Sequence, residues 1–411
     1  MPSAYILMPV SASRSNGPAA VWITAAGWGS AAERRLGSAI MITPDGTFTP
    51  EGALAYATAP RPTISRMPSR RLVPEVLITL MKDLRSWRDA RRFTEAAVAV
   101  WAADRSSASL TFIWQQHNLF QRAGAAVARS AGVPLVVFVD APIVWEARRW
   151  GVRRPVWGPL LERFVEGRYL RAADLVLAVS DSVAREVARL GVDPGRILVT
   201  PCAVDLRRFE MVDVGPPSTG SDAELSPLTV VWIGSFRRFH GLDVLIEAMS
   251  KLSGSTVRLV LAGDGNDRAR IEDLARDAGV PAEFLGSLAA EQIPGVLAGA
   301  DVGVVTSRGD GDFHYSPLKL REYLAAGLAV VAPAEPDIVA SVKDGRTALL
   351  YEPGDSTSLA ARIEQLDDDR EFGRQLGVCG RELARTELSW EHQFDRVADQ
   401  LGLQRPSGSP E

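Results

Sequence analysis

Short apolar runs recur along the chain and alternate with longer amphipathic stretches. Leu135–Val139, Leu175–Val179, Val230–Ile233, Val257–Ala262, Val302–Val305 and Leu328–Ala332 are apolar strand-like runs, Arg258 being the one charge within them, the pattern of strands covered on both faces. The stretches between them repeat their apolar positions at the helical period. Strand and helix therefore alternate, which predicts an α/β chain with parallel sheets. A first strand is expected at Tyr5–Val10. No tandem repeat is visible.

Residues 213–227 read DVGPPSTGSDAELSP, a run of Pro, Gly, Ser and acid with little to bury. The predicted organisation is thus a domain over 1–211, a linker over 212–227, a second domain over 228–388, a helix over 389–402 and a disordered tail over 403–411. Two doubly wound, Rossmann-like domains facing across a cleft follow from this pattern. Open α/β sheets bind ligands beyond the carboxyl ends of their strands.

With 411 residues, 46% apolar and 23% charged, the chain suits two soluble domains of roughly 200 residues each. No apolar run approaches the roughly 18 residues that a membrane span needs, and the N-terminus lacks a basic lead and a cleavage site. Cys202 and Cys379 make neither a disulfide framework nor a metal spacing. A reducing cytoplasm is the expected compartment. The net charge of −4 hides a net of +9 over 1–211 and −13 over 212–411. The basic half suits an anionic acceptor or the inner face of a membrane; drift in surface charge would give the same totals.

The densest chemical signal is Ser316-Pro317-Leu318-Lys319-Leu320-Arg321-Glu322-Tyr323-Leu324-Ala325-Ala326-Gly327, running into the strand at Leu328. Pro317 suits the first turn of a helix and Gly327 its end. Unpaired N–H groups and the positive dipole end at such a start favour an anion, usually phosphate. Lys319 adds a full charge, and Glu322, one turn on, can accept hydrogen bonds from a diol such as ribose. A second signal is Val230–Gly241, where a strand ends in Gly234-Ser235, passes Arg237 and Arg238 and reaches His240-Gly241 before a helix. Glycine allows close backbone approach and arginine takes phosphate oxygens in bidentate fashion.

These segments resemble the nucleotide-sugar site of retaining glycosyltransferases of family 4, whose fold is GT-B. The family form is a Glu, seven residues, a second Glu, then a small-residue helix end and an apolar strand. Glu322 matches the second Glu; His314 stands where the first is expected, and the SPLK loop resembles one branch of the family. The resemblance implies catalytic roles for His117, Arg237, Arg238, Lys319 and Glu322. It implies substrate contacts from Gly17, Asp140, Gly234, Ser235, His240, Gly263, Gly265, Leu285, His314, Tyr315, Ser316, Pro317 and Leu318. His117 closes the polar cluster Gln115–Asn118, and Asp140 stands in Val139-Asp140-Ala141-Pro142 at the next strand end. Gly263-Asp264-Gly265 and Leu285 would lie near the nucleotide base. The last helix, about Trp390–Leu401, would cross back to the first domain.

The implied reaction is transfer of a sugar from a nucleotide-diphosphate sugar with retention. Neither a resident cofactor nor a metal is expected, since protein cations neutralise the leaving diphosphate; no paired metal-binding carboxylates stand in a suitable context, Asp310-Gly311-Asp312 being a formal match alone. A sugar-nucleotide epimerase of the same fold and a non-catalytic nucleotide-sugar-binding protein are the alternatives. UDP, GDP, ADP and dTDP stay open as donors. Lipid-linked sugar, polysaccharide and small metabolite stay open as acceptors. Residues 148–171 hold seven arginines with Trp145, Trp150 and Trp157 close by, which suits a membrane interface, an anionic acceptor or a plain solvated helix. No nucleic-acid-binding motif appears.

Overall fold

The structure is a computed structural model that describes residues 3–12, 19–58, 74–104, 110–210, 226–252, 257–310 and 317–403. Gly17, His314, Tyr315 and Ser316 lie outside the described residues, as do 212–225 of the expected linker and 404–411 of the expected tail. The chain divides into two compact units, Met1–Pro201 with Trp390–Glu411, and Cys202–Ser389.

The first unit is built on strands β1 (Ser3–Leu7), β2 (Ser38–Thr43), β3 (Gly46–Phe48), β4 (Leu110–Gln116), β5 (Leu135–Val139), β6 (Leu175–Ala178) and β7 (Ile197–Val199). Their order is β3-β2-β1-β4-β5-β6-β7. Every pairing is parallel except the β2–β3 hairpin. The order reverses between β1 and β4, which leaves a crevice beyond their carboxyl ends.

The second unit carries β8 (Leu228–Ile233), β9 (Val257–Ala262), β10 (Ala282–Gly286), β11 (Val302–Val304), β12 (Ala329–Pro333) and β13 (Leu349–Tyr351). Their order, β10-β9-β8-β11-β12-β13, is wholly parallel and reverses between β8 and β11. Both faces are covered. Val230 and Trp232 of β8 join one core cluster, and Val231 and Ile233 join the other. This is why the strand reads as a continuous apolar run.

The expected boundary at 211 is corrected to Pro201/Cys202. Val204 and Phe209 are buried in a core cluster of the second unit, and Val204 forms a bridge with Ser389. Residues 202–210 are therefore held by burial and backbone pairing before the linker-like composition begins.

The helix Trp390–Leu401 packs in the first unit. Trp390 is 1% exposed, and its ring lies 5.8 Å from that of Trp28. Gly27 makes room for it, since a Cβ there would fall 2.3 Å from Trp390 Cε2. Arg35 and Asp395 pair at 2.5 Å beside this contact. Among the described residues no helix is long and apolar enough to cross a membrane.

Candidate functional site

In the second unit the candidate site grows from the end of β8. Gly234 leaves the strand at φ 146° and donates its N–H to Ala262. The next loop, after β9, closes on it. Gly263 has φ 139°, and a Cβ there would stand 1.7 Å from the Gly234 carbonyl, so no side chain fits. A Cβ on Gly265 would likewise meet the Phe236 carbonyl at 2.4 Å. The glycines of both loops thus serve loop-on-loop packing. Leu285 packs against the apolar cluster beside them.

The helix Leu318–Ala326 begins after Pro317, one residue later than the sequence suggests, and ends at Gly327 with φ 76°. Leu320, Tyr323 and Leu324 bury one face of it. Tyr323 packs flat against β11, where a Cβ on Gly303 would come within 2.5 Å of its ring. The Tyr323 hydroxyl accepts the Ile233 N–H at 2.8 Å. The helix is therefore fixed to the ends of both strands at the switch point.

This anchoring brings Lys319 to the β8 terminus. Its Nζ lies 3.7 Å from the centre of the Trp232 ring, and a Cβ on Gly234 would stand only 2.9 Å from that nitrogen. Burial pushes the Lys319 ammonium down from 10.5 to about 7, opposed by Glu322. His240 lies near it. Burial first, then the charges of Lys319 and Arg237, holds the imidazole well below its ordinary range, so His240 is neutral near pH 7. Its Nε2 is 3.4 Å from Ser235 Oγ. Its carbonyl accepts from the Thr306 hydroxyl, which in turn accepts from Trp232 Nε1 at 3.1 Å. Arg238 is exposed and helps lower the Asp267 carboxyl, after Arg270, whereas Arg237 is the arginine whose charge acts on His240.

Glu322 is largely buried and pairs with Arg208 at 3.2 Å. Burial raises its carboxyl, while Arg208 and Lys319 pull it back. Arg208 also donates to the Ala290 carbonyl at 2.5 Å. Sequence reasoning missed Arg208, because it lies in the Arg207-Arg208 pair at the edge of the linker-like stretch. It also missed Trp232 and Tyr323, whose apolar bodies read as core.

In the first unit β4 ends at Gln116, and His117 follows at the other switch point. Its backbone N–H bonds the Phe138 carbonyl at 2.7 Å, and its Nε2 lies 2.8 Å from Glu166 Oε1. Glu166 is 0% exposed. It also accepts the N–H groups of Ile143 at 2.5 Å and Val144 at 3.3 Å, so one carboxylate serves both a helix start and the histidine. A π-helical turn, Leu161–Glu166, turns Glu166 inward; such turns often mark functional positions. Asp140 accepts from Gln116 Nε2 at 2.8 Å. Burial first, then the charge of Glu146, raises its carboxyl to about 6 against the pull of Gln116 and His117. Phe120 is the one described non-glycine residue with positive φ, 68°, and it closes the turn that carries His117. Glu166 escaped the sequence reading because it sits in an arginine-rich stretch, where an acid looks like a counter-charge.

Two family profiles match, one after the other along the chain. The one described as Glycosyltransferase Family 4 covers residues 41–208, and the one described as Glycosyl transferases group 1 covers 227–369. The chain belongs to glycosyltransferase family 4. It is 28% identical to the sulfoquinovosyl transferase of Arabidopsis thaliana over 62% of this chain and 49% of that one. It is 28% identical to the alpha-maltose-1-phosphate synthase of Mycolicibacterium smegmatis over 73% and 82%. The match thus spans about half the length of the first relative and most of the second. Among solved structures, HepE of Anabaena in complex with UDP superposes with a TM-score of 0.65 at 17% identity, covering 98% of this chain and 100% of that one. At that identity the likeness bears on the fold, which is GT-B.

Proposed function

We propose that this family 4 protein moves a sugar from a nucleotide-diphosphate sugar to an acceptor hydroxyl, with retention and without a metal ion. The observation that carries the reading is Lys319, held against the Gly234 backbone and the Trp232 ring at the start of the Leu318–Ala326 helix. A diphosphate seated there meets the helix N–H groups, the Lys319 ammonium and Arg237. Its charge restores the Lys319 proton that burial weakens.

In the proposed step the bond between the anomeric carbon and the leaving phosphate oxygen breaks. A bond to the acceptor oxygen forms on the same face, and the acceptor proton passes to the leaving diphosphate. Negative charge grows on that diphosphate, so preorganised cations and amide dipoles favour the transition state over the ground state. Glu322, steadied by Arg208, would take the ribose hydroxyls. The family resemblance gives His117 of the first unit, with its Nε2 against Glu166, a role towards sugar. UDP is the first donor nucleotide to test, since HepE was solved with UDP.

The test is incubation of the purified protein with UDP-, GDP-, ADP- and dTDP-sugars. Slow donor hydrolysis or transfer that is lost in Lys319→Ala and Glu322→Ala supports the reading. Interconversion of donors would point to an epimerase, and saturable binding without turnover to a binding protein. Wild-type rates in both variants would remove the site assignment.

A further inference from the structure

Large apolar side chains that stand exposed are not scattered over this molecule. Among the described residues all but two of them, Val339 and Val378, fall within 77–98 and 150–164. Soluble surfaces rarely concentrate apolar groups in this way without a partner. The helix Glu75–Ala103 buries Thr79, Asp83, Ala90, Phe93 and Ala97 on its inner side. Its outer side opens with Leu77, Met81 and Leu84, which are 49%, 65% and 50% exposed. The second segment presents Val156, Leu160 and Phe164 at helical spacing, 76%, 53% and 59% exposed.

The two stripes are tied together. The buried Asp83 carboxylate takes two bonds from Arg154, both 2.8 Å, and one from Trp157 Nε1 at 2.8 Å. Leu84 is the next residue along the helix from that carboxylate, and Val156 immediately precedes Trp157.

The charge around the stripes is mostly positive, the exposed cations of the first helix outnumbering its acids Glu75, Asp89 and Glu95. Lys82, Arg85, Arg88, Arg91 and Arg92 are exposed on the first helix. Arg148, Arg149, Arg153, Arg163 and Arg168 are exposed on the second segment, whose acids Glu162 and Glu166 are both buried. The Arg163 guanidinium lies over the Phe164 ring at 5.3 Å. Apolar groups bedded among cations complement a layer with anionic headgroups above and hydrocarbon below.

We propose that these two stripes form one docking surface for an anionic lipid bilayer. The stripes lie on the surface of the layer rather than spanning it, and the surface stands independently of the donor chemistry proposed above.

The test is co-sedimentation with vesicles of phosphatidylglycerol and phosphatidylcholine in equal parts, against vesicles of phosphatidylcholine alone. The protein should bind the anionic vesicles at least about tenfold more tightly, and added salt should weaken that binding. The double variant Met81→Glu/Phe164→Glu should bind about tenfold more weakly, with an unchanged thermal unfolding midpoint as the check on its fold. Equal sedimentation of the variant, or none of the wild type at low salt, would overturn the proposal. So would a wild-type dimer that the double variant converts to monomer, because the stripes would then cover a second copy.

Discussion

Lys319 sits with its ammonium 3.7 Å from the centre of the Trp232 ring. The aromatic face supplies part of the solvation that water would give, yet burial still lowers the ammonium to about 7. The free protein therefore sheds this proton near neutrality. Two opposite pH trends follow. Stability rises as pH climbs from about 7 towards 10.5, because an unfavourable buried charge is relieved. Affinity for a nucleoside diphosphate falls over the same range. Calorimetric titration with UDP between pH 6 and 9 should show that fall. Lys319→Met should bind about 10- to 100-fold more weakly at pH 6 and lose most of the pH dependence. An unchanged pH profile in the variant would contradict this assignment.

Arg208 pairs with Glu322, its one ionic partner among the described residues, and its second terminal nitrogen donates to the Ala290 carbonyl. Removing it leaves a largely buried carboxyl whose pKa is already raised. Arg208→Met should raise the donor KM about tenfold with a smaller effect on kcat, because the Glu322 carboxyl would be pushed further up and lose the cation that orients it. Arg208→Lys should restore part of the loss. Equal damage to kcat and KM in both variants would count against a positioning role.

The carboxylate of Glu166 holds His117 and two backbone N–H groups at once. Glu166→Ala strands those donors and should cost about 1–3 kcal/mol for the lost pairing, read by denaturant unfolding. Glu166→Gln keeps an acceptor and should recover most of the stability. Activity should stay low in Glu166→Gln, because a neutral amide no longer sets the His117 tautomer.

Trp390 fills the space that Gly27 leaves. Trp390→Ala should lower the stability of the first unit by about 3–5 kcal/mol, seen as an earlier unfolding transition. A loss below about 1 kcal/mol would mean that the last helix contributes little to that core.

The elements with strong local signals were legible. The 316–332 stretch announces its helix, its Gly327 stop and its buried strand through residues a few positions apart. The apolar runs announce β5, β6, β8 and β12 because a doubly covered strand has no polar face to interrupt it. The pairings that build the site were not legible. His117 and Glu166 lie 49 residues apart, and Arg208 and Glu322 lie 114 apart. Periodicity carries no information about partners at such separations. The boundary failed for a related reason. Composition changes at 213, whereas the core contact of Phe209 and the bridge of Val204 begin earlier.

The first unit is completed by residues that leave the ribosome only after the whole second unit. Trp390 cannot enter its slot beside Gly27 until residues 202–389 have been synthesised. A nascent chain stopped anywhere before it presents Trp28 and its neighbours to the cell uncovered. The gene order thus makes translation through the helix Trp390–Leu401 a precondition for a finished first unit, and a fragment ending at Pro201 would need that helix supplied separately to match the native core.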